Sequence, residues 1–374
     1  MPRLTKYQLL KPGPSRGGRK FFGLLAVLIL GIVVWVLWQR FFAPTSKPIT
    51  KATSSVAVTN QPGKTQPAIT LQSDPVPVTN TAPVSVSGFP RPSRDVFEAQ
   101  VALARLGISS GSLDGVMGSQ TRAALLAFER MAGLPESLEL NAATRARLML
   151  DSPPLKTYTV TSNDLARLQL LSKTWLGKSQ QTALDFETIL ELVAEKGHAS
   201  PNLIRRFNPT VDWTNVVAET TIQIPDVEYP PPKTKAAFVV ISLAEKKLEA
   251  FDAQTNLLAH FPCSIAARVE KRPAGELHVS AVAPNPDYTF NPEVFPESPE
   301  AQQLKTKLVL PPGPNNPVGT AWISLDKPGY GMHGTPSPEQ VGRTESHGCF
   351  RLANWNAEYL IKLVWIGMPV YVEP

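Results

Sequence analysis

Cysteine and histidine are scarce in this 374-residue chain, which has two cysteines, Cys263 and Cys349, and five histidines. Two cysteines are too few for a small secreted fold held together by several disulfides, although one bridge remains arithmetically possible. Acidic residues are almost missing from residues 1–92, which contain eleven basic residues and one acidic residue. The remainder has 26 basic and 30 acidic residues and no basic stripe, so nucleic acid is excluded as a partner.

Charge is also missing from residues 21–38, FFGLLAVLILGIVVWVLW. Eighteen apolar residues at a helical rise of ~1.5 Å reach roughly across a bilayer core. Residues 1–20 carry six basic residues and no acidic one, which predicts a cytoplasmic tail. We therefore expect a single-pass anchor in the inner (cytoplasmic) membrane over residues 21–42, with the rest of the chain in the periplasm. A cleaved signal peptide is the alternative, but no small-residue cleavage site follows the apolar run.

Residues 43–92 contain nine prolines and many Ser, Thr, Val and Gln residues. Such a composition buries too little apolar surface to offset the entropy of ordering, so it predicts a disordered tether. The chain beyond the tether is long enough for two or three domains, and the whole is predicted to be a multidomain protein.

Residues 93–151 have the pattern of three short helices, two of which Ser119 and Asn141 are suited to cap. The Leu-Asp-Gly-x-x-Gly turn at residues 113–118 and the Thr-Arg-Ala-Ala run at residues 121–124 resemble the peptidoglycan-binding type 1 domain. That resemblance implies a small all-α three-helix domain and peptidoglycan as a partner. A three-helix spacer without a ligand is the alternative.

Residues 157–226 predict a strand, two helices and a final strand, with a stop at Gly197 and a cap at Ser200. This order resembles the LysM domain, a small α+β fold, and departs from it by an insertion at about residues 166–186. The resemblance implies glycan binding, and a plain spacer is the alternative. His198 lies in the turn between the helices and is expected to be solvated.

Residues 236–374 alternate as β-strands do, and one helix with its stop at Gly367 lies near the end. Just before that helix come His333-Gly-Thr335 and Ser346-His-Gly-Cys-Phe-Arg-Leu352. A thiol becomes a strong nucleophile when an imidazole within reach takes its proton, and the resulting ion pair is the attacking species. Gly348 lets a substrate approach the backbone, where amide groups at Gly348 and Cys349 would face an oxyanion.

These two segments resemble the signature of the YkuD family of L,D-transpeptidases over about residues 236–373. The resemblance implies a C-terminal mostly-β sandwich with a short helix. It implies that Cys349 is the nucleophile and His333 the proton donor and acceptor. His347 and Gly348 then shape the nucleophile and oxyanion region.

Three further residues, Ser346, Gly334 and Arg351, are predicted to bind the substrate. The arginine could face a substrate carboxylate or hold the loop by hydrogen bonds. One segment departs from the family: Lys271-Arg-Pro-Ala-Gly275 has no Thr where many members have Thr-Pro-x-Gly.

The sequence therefore predicts a cell-wall L,D-transpeptidase that needs no metal or cofactor and forms 3–3 cross-links between stem peptides. The same site would serve an L,D-carboxypeptidase, or an enzyme that attaches protein to peptidoglycan. A metallopeptidase with His333, His347 and Cys349 as zinc ligands, and a non-catalytic wall-binding protein, are alternatives of other classes. Because a disulfide would abolish the nucleophile, the enzyme hypothesis predicts that Cys263 and Cys349 are both free, with Cys263 buried.

Overall fold

The computed structural model describes residues 88–295 and 298–374. The predicted cytoplasmic tail, the predicted anchor and nearly all of the predicted tether lie outside these residues. Within the described part of the chain, no helix is both long and apolar enough to cross a membrane.

The described residues form nine α-helices, most of which are short. They are α1 Val96–Ala104, α2 Ser119–Ala132, α3 Ala142–Arg147, α4 Ser162–Ala166, α5 Trp175–Ser179, α6 Ile189–Lys196, α7 Pro201–Phe207, α8 Pro299–Gln303 and α9 Asn354–Leu363.

Fourteen β-strands occur in the same residues. They are β1 Arg91–Pro92, β2 Met149–Leu150, β3 Leu155–Thr159, β4 Thr221–Pro225, β5 Phe238–Ser242, β6 Lys247–Phe251, β7 Leu257–Pro262, β8 Gly275–Pro284, β9 Tyr288–Phe290, β10 Leu308–Leu310, β11 Ala321–Leu325, β12 Gly331–His333, β13 Phe350–Arg351 and β14 Pro369–Glu373.

Helices α1 to α3 make the small helical region predicted for residues 93–151, and β1 and β2 pair at its base. Its motif turn is held from inside by Gln100, a fully buried residue of α1. The side-chain amide of Gln100 donates to Asp114 Oδ1 at 3.0 Å, and its oxygen accepts from Gly115 N at 2.8 Å. The Leu-Asp-Gly-x-x-Gly motif is thus a turn whose polar groups are satisfied by the first helix.

The second module, residues 157–226, shares one hydrophobic core with the helical region. Strands β3 and β4 pair antiparallel, and α6 and α7 lie between them in sequence. Backbone hydrogen bonds also join the two modules: Leu113 N donates to His198 O at 2.8 Å, and Ser200 N donates to Leu113 O at 2.9 Å. Because the core is continuous, the two modules pack as one body.

The expectation that His198 is a solvated turn residue is wrong. Its ring stacks on Trp355 of α9 with 5.0 Å between centroids and lies 5.1 Å from the ring of Tyr229. Burial lowers the pKa of His198 to about 3, because a charged imidazole would lose its hydration there. The turn that looked exposed in sequence is covered by the C-terminal domain.

The C-terminal domain is built on an eight-stranded mixed sheet, in the order β13-β12-β11-β8-β14-β5-β6-β7. The ten-residue strand β8 joins two parts of it: Gly275–His278 pairs with β14, and Val279–Pro284 pairs with β11. Side chains from both parts and from α9 share one core. The domain therefore fits a mostly-β sandwich with one short helix, as predicted.

The edge strand β7 is covered on its open side by the helical region. Ser109 N donates to His260 O at 2.8 Å, and His260 N donates to Gly107 O at 3.1 Å. His260 is itself buried, with its Nδ1 2.9 Å from Glu249 Oε1. An exposed edge strand can pair with other chains, and this contact prevents such pairing by covering the open edge of β7.

Candidate active site

Two short parallel strands bring the predicted site segments together. In the register of β12 and β13, Met332 lies opposite Phe350 and His333 opposite Arg351, and Leu352 N donates to His333 O at 2.8 Å. Met332 and Phe350 are completely buried and fix both strands on the core. Cys349 comes directly before β13, and His333 is the last residue of β12.

Six of the seven predicted site residues line one cavity of about 550 Å³, which we call the Cys349 cavity. They are His333, Ser346, His347, Gly348, Cys349 and Arg351.

Gly334, the seventh residue, is buried beside His333 and does not belong to the cavity lining. A Cβ built on Gly334 would lie 2.2 Å from Asn354 Oδ1, so only glycine fits there. Asn354 Oδ1 accepts from Thr335 N at 2.9 Å and holds this loop against α9. In this structure Gly334 acts as a close-packing position behind the histidine.

His333 has a fixed hydrogen-bond partner. Its Nδ1 lies 2.6 Å from the carbonyl oxygen of Gly334, which can only accept, so Nδ1 carries the proton and Nε2 is the basic nitrogen. Its ring also stacks on Trp322 of β11 at 5.4 Å between centroids. This tautomer leaves Nε2 as the nitrogen able to take a proton.

The thiol and the imidazole are both uncharged at neutral pH. Burial raises the pKa of Cys349 to about 11 and lowers the pKa of His333 to about 4, since both charged forms lose hydration. The positive charge of Arg351 lowers the pKa of His333 further and offsets part of the rise in the pKa of Cys349. These pKa shifts favour a neutral pair, the ion pair expected from sequence stays a prediction, and a neutral imidazole can serve as a base as the thiol attacks.

Ser346 shapes the loop in front of the thiol. Its hydroxyl donates to the carbonyl oxygen of Cys349 and accepts from Gly348 N at 3.2 Å. Its side chain is buried, at 8% exposure. In this conformation the Gly348 amide is thus already engaged by Ser346.

Arg351 holds the preceding loop, which is one of the two possibilities left open by its sequence position. One of its terminal nitrogens donates to the carbonyl oxygen of Glu345 and to Thr344 Oγ1, contacts that hold the preceding loop. The same residue lines the Cys349 cavity, and its buried Nε has no hydrogen-bond partner among the described residues. Binding of a substrate carboxylate by Arg351 stays a prediction.

Both cysteines are free, as predicted. Cys263 is completely buried, and burial raises its pKa far above the ordinary range. In residues 88–295 and 298–374, no three Cys, His, Asp or Glu side chains come together as a metal-ligand set. The zinc hypothesis required His333, His347 and Cys349 to do so.

Three aromatic residues of the cavity wall were missed by sequence reasoning: Trp175, Phe295 and Trp322. Trp322 had one usable signal, because it lies directly opposite His333 in the antiparallel pair of β11 and β12. Trp175 had none, since it lies in the insertion of the second module.

A thiol and an imidazole that line one cavity of a mostly-β domain are side chains of the kind that acyl-transfer enzymes use. Comparison with protein families makes the assignment specific. Residues 236–372 match the YkuD family, described as the L,D-transpeptidase catalytic domain, and residues 92–148 match the "Putative peptidoglycan binding domain". The chain therefore carries a YkuD-family L,D-transpeptidase catalytic domain and a peptidoglycan-binding type 1 domain.

Curated relatives carry the same enzyme name. The chain is 25% identical over 185 residues to "Putative L,D-transpeptidase YkuD" of Bacillus licheniformis, covering 50% of this chain and 93% of the relative. It is 28% identical over 192 residues to "Probable L,D-transpeptidase YbiS" of Escherichia coli, covering 48% of this chain and 58% of the relative.

Among solved structures, the chain resembles L,D-transpeptidase 3 of Mycobacterium tuberculosis at 18% identity, with a TM-score of 0.30, covering 43% of this chain and 77% of that one.

Proposed function

We propose that this chain cross-links peptidoglycan by forming a thioester between Cys349 and a stem peptide and passing the acyl group to an amine. The observation that carries the proposal is the placement of Cys349 and His333 on one cavity, with the histidine held in the tautomer that leaves Nε2 basic. The family to which residues 236–372 belong supports it.

The first half-reaction forms the thioester. As Cys349 Sγ attacks the stem-peptide carbonyl, His333 Nε2 takes the thiol proton and then gives it to the leaving amine of the terminal D-residue. One sulfur–carbon bond forms and one peptide bond breaks. The oxyanion formed on the way needs N–H donors, and the amide of Cys349 is the proposed donor.

The second half-reaction resolves the thioester. An amine of a neighbouring stem peptide attacks the acyl carbon, loses a proton to His333 and releases Cys349, which yields a 3–3 cross-link. If water attacks instead, the thioester is hydrolysed and the product is a tripeptide stem. If the amine belongs to a protein, the product is an attached protein.

A second cavity favours glycan binding by the accessory modules. It measures about 450 Å³ and lies where the helical region, the second module and the catalytic domain meet. Most of the residues that line it are polar, among them Asp114, Gln120 and Asn202. A hydroxyl- and amide-rich glycan would satisfy such groups, and the second module is proposed to be LysM-like.

The proposed location is the outer face of the cytoplasmic membrane, reached through the predicted anchor and tether. It rests on the apolar run at residues 21–38, the basic residues before it and the peptidoglycan-binding domain.

The test is to incubate the purified full-length chain with disaccharide-tetrapeptides and to follow the products by mass spectrometry. We expect a 3–3 linked dimer with loss of one D-residue, and no product from a Cys349→Ala variant. A Cys263→Ala variant is the matched control and should retain activity. Full activity of Cys349→Ala would overturn the thiol mechanism, and tripeptide alone would show that water is the acceptor.

A further inference from the structure

The insertion of the second module, residues 166–186, reaches the catalytic domain. Leu184 N donates to Pro312 O at 2.9 Å, and Asn315 N donates to Leu184 O at 2.9 Å. A Cβ on Gly313 would lie 2.2 Å from Leu184 O, and its φ of 142° also favours glycine. The insertion is therefore fitted closely to the loop that precedes β11.

A second set of contacts holds the tip of the insertion. The backbone N–H groups of Trp175 and Leu176 donate to the two carboxylate oxygens of Glu300, at 2.9 and 3.0 Å. Hydrogen bonds to a charged acceptor are among the stronger ones in proteins. Helix α5 is thereby fixed to α8 of the catalytic domain.

Trp175 itself begins a row of aromatic rings that ends next to the nucleophile. Its ring stacks on Phe290 with 4.3 Å between centroids, and Phe290 stacks on Phe295 at 5.1 Å. The ring of Phe295 meets the ring of His347 edge-on, with 5.0 Å between centroids, and His347 lies two residues before Cys349. Phe290 also belongs to a small separate core with Leu184, Ala301 and Leu310, against which Trp175 and Phe295 pack.

Trp175 is also part of the wall of the Cys349 cavity, together with Tyr288, Phe295 and Trp322. A substrate whose carbonyl lies at Cys349 must extend along this wall. Aromatic faces favour contact with C–H groups and disfavour carboxylates, while a cation can lie over a face, as Lys178 Nζ does over the Trp175 ring at 5.9 Å. The wall is therefore suited to methyl and methylene groups of peptide side chains.

We propose that the insertion of the second module completes the catalytic site, and that Trp175 holds the aliphatic part of the stem peptide beside Cys349. The proposal rests on the function proposed above and assigns a specificity-determining residue outside the catalytic domain. The second module is then part of the enzyme's substrate recognition.

The test measures release of the terminal D-residue from a tetrapeptide by the full-length chain and by Trp175→Ala, Trp175→Phe and Leu176→Ala variants. For Trp175→Ala we expect KM to rise about tenfold, because loss of one aromatic contact weakens substrate binding by about that factor. We expect kcat to stay close to that of the wild type. Leu176 follows Trp175 on the same helix and does not line the cavity, so its variant should keep the wild-type KM.

Two further measurements keep a folding defect from being mistaken for a binding effect. Thermal unfolding reports the fold, and the rate of Cys349 alkylation by iodoacetamide reports the intact nucleophile and should not change. If Trp175→Ala does not fold, Trp175→Phe, which keeps an aromatic ring on Phe290, should still raise KM about threefold.

A wild-type KM in Trp175→Ala and Trp175→Phe, or an equal rise in Leu176→Ala, would overturn the proposal. Absence of turnover by the wild-type chain would instead overturn the proposed function.

Discussion

Trp322 lies directly opposite His333 across the pair of β11 and β12, and the two rings are nearly parallel, at 25° and 5.4 Å between centroids. The imidazole is thus fixed on one side by an indole and at Nδ1 by the Gly334 carbonyl. Two such restraints define where Nε2 points, which is the geometry that proton transfer requires.

Replacing Trp322 should therefore impair chemistry more than binding. We expect Trp322→Ala to lower kcat about tenfold, since loss of the stack lets the imidazole leave its productive orientation. Trp322→Phe should retain most of the rate because a ring remains on the imidazole. Steady-state kinetics with both variants check this. Equal losses in the two variants would contradict a positioning role.

The pH dependence should differ from that of an enzyme with an ordinary histidine base. The base must be neutral, and burial lowers the pKa of His333 to about 4. We expect kcat/KM to hold as the pH falls through 6.5 and to drop only towards pH 4. A His278→Gln variant, which changes an exposed histidine held by Asp326, is the control. An acid limb between pH 6 and 7 would contradict this prediction.

The two thiols should react very differently with iodoacetamide. With a pKa of about 11, Cys349 is only about one part in a thousand thiolate at pH 8, so its alkylation rate should climb about tenfold per pH unit from 7 to 10. Cys263 has no exposed surface and should stay unmodified while the chain is folded. Peptide mass mapping separates the two sites, and a rate plateau below pH 9 would show a lower pKa.

Glu195 on α6 should make stability fall as the pH rises. Burial raises the pKa of Glu195 to about 8, despite a hydrogen bond with Asn354 that favours the charged form. The folded chain therefore keeps a proton that the unfolded chain releases near pH 4.5, so this stability is complete below that pH and is lost progressively up to about pH 8. Above pH 8 none of it remains.

A Glu195→Gln variant should remove this dependence. We expect the variant's free energy of unfolding to exceed that of the wild type by more at pH 8.5 than at pH 5, because only the wild type loses stability over this range. Urea unfolding at both values measures it, with Glu228→Gln as an exposed control. The same difference at both pH values would mean that the Glu195 carboxyl titrates normally.

The sequence was informative where the site is built from neighbouring segments. His333 and Cys349 belong to motifs a few residues long, and their strands pair, so a local pattern was enough to predict six residues of the cavity. The three helices were also predictable, because hydrophobic periodicity reports directly on which face is buried, whereas the sandwich was implied by the resemblance to the YkuD family.

Other features depend on contacts between distant parts of the chain. Nothing beside His198 in sequence indicates that Trp355 will cover it, and nothing beside Trp175 indicates that it will line the Cys349 cavity. The insertion at residues 166–186 was recognised as a departure from a known pattern, but its sequence does not indicate which part of the chain it packs against. That position is set by the contacts of Leu184 with the loop around Gly313.

The fit between Gly313 and Leu184 also constrains inheritance. A side chain at residue 313 would collide with the backbone of the second module, so neither segment can change its course unless the other changes with it. Among relatives, the insertion and this loop should therefore be gained, lost or altered in length as a pair. A recombination that exchanged the catalytic domain alone would leave the two halves of the cavity wall mismatched.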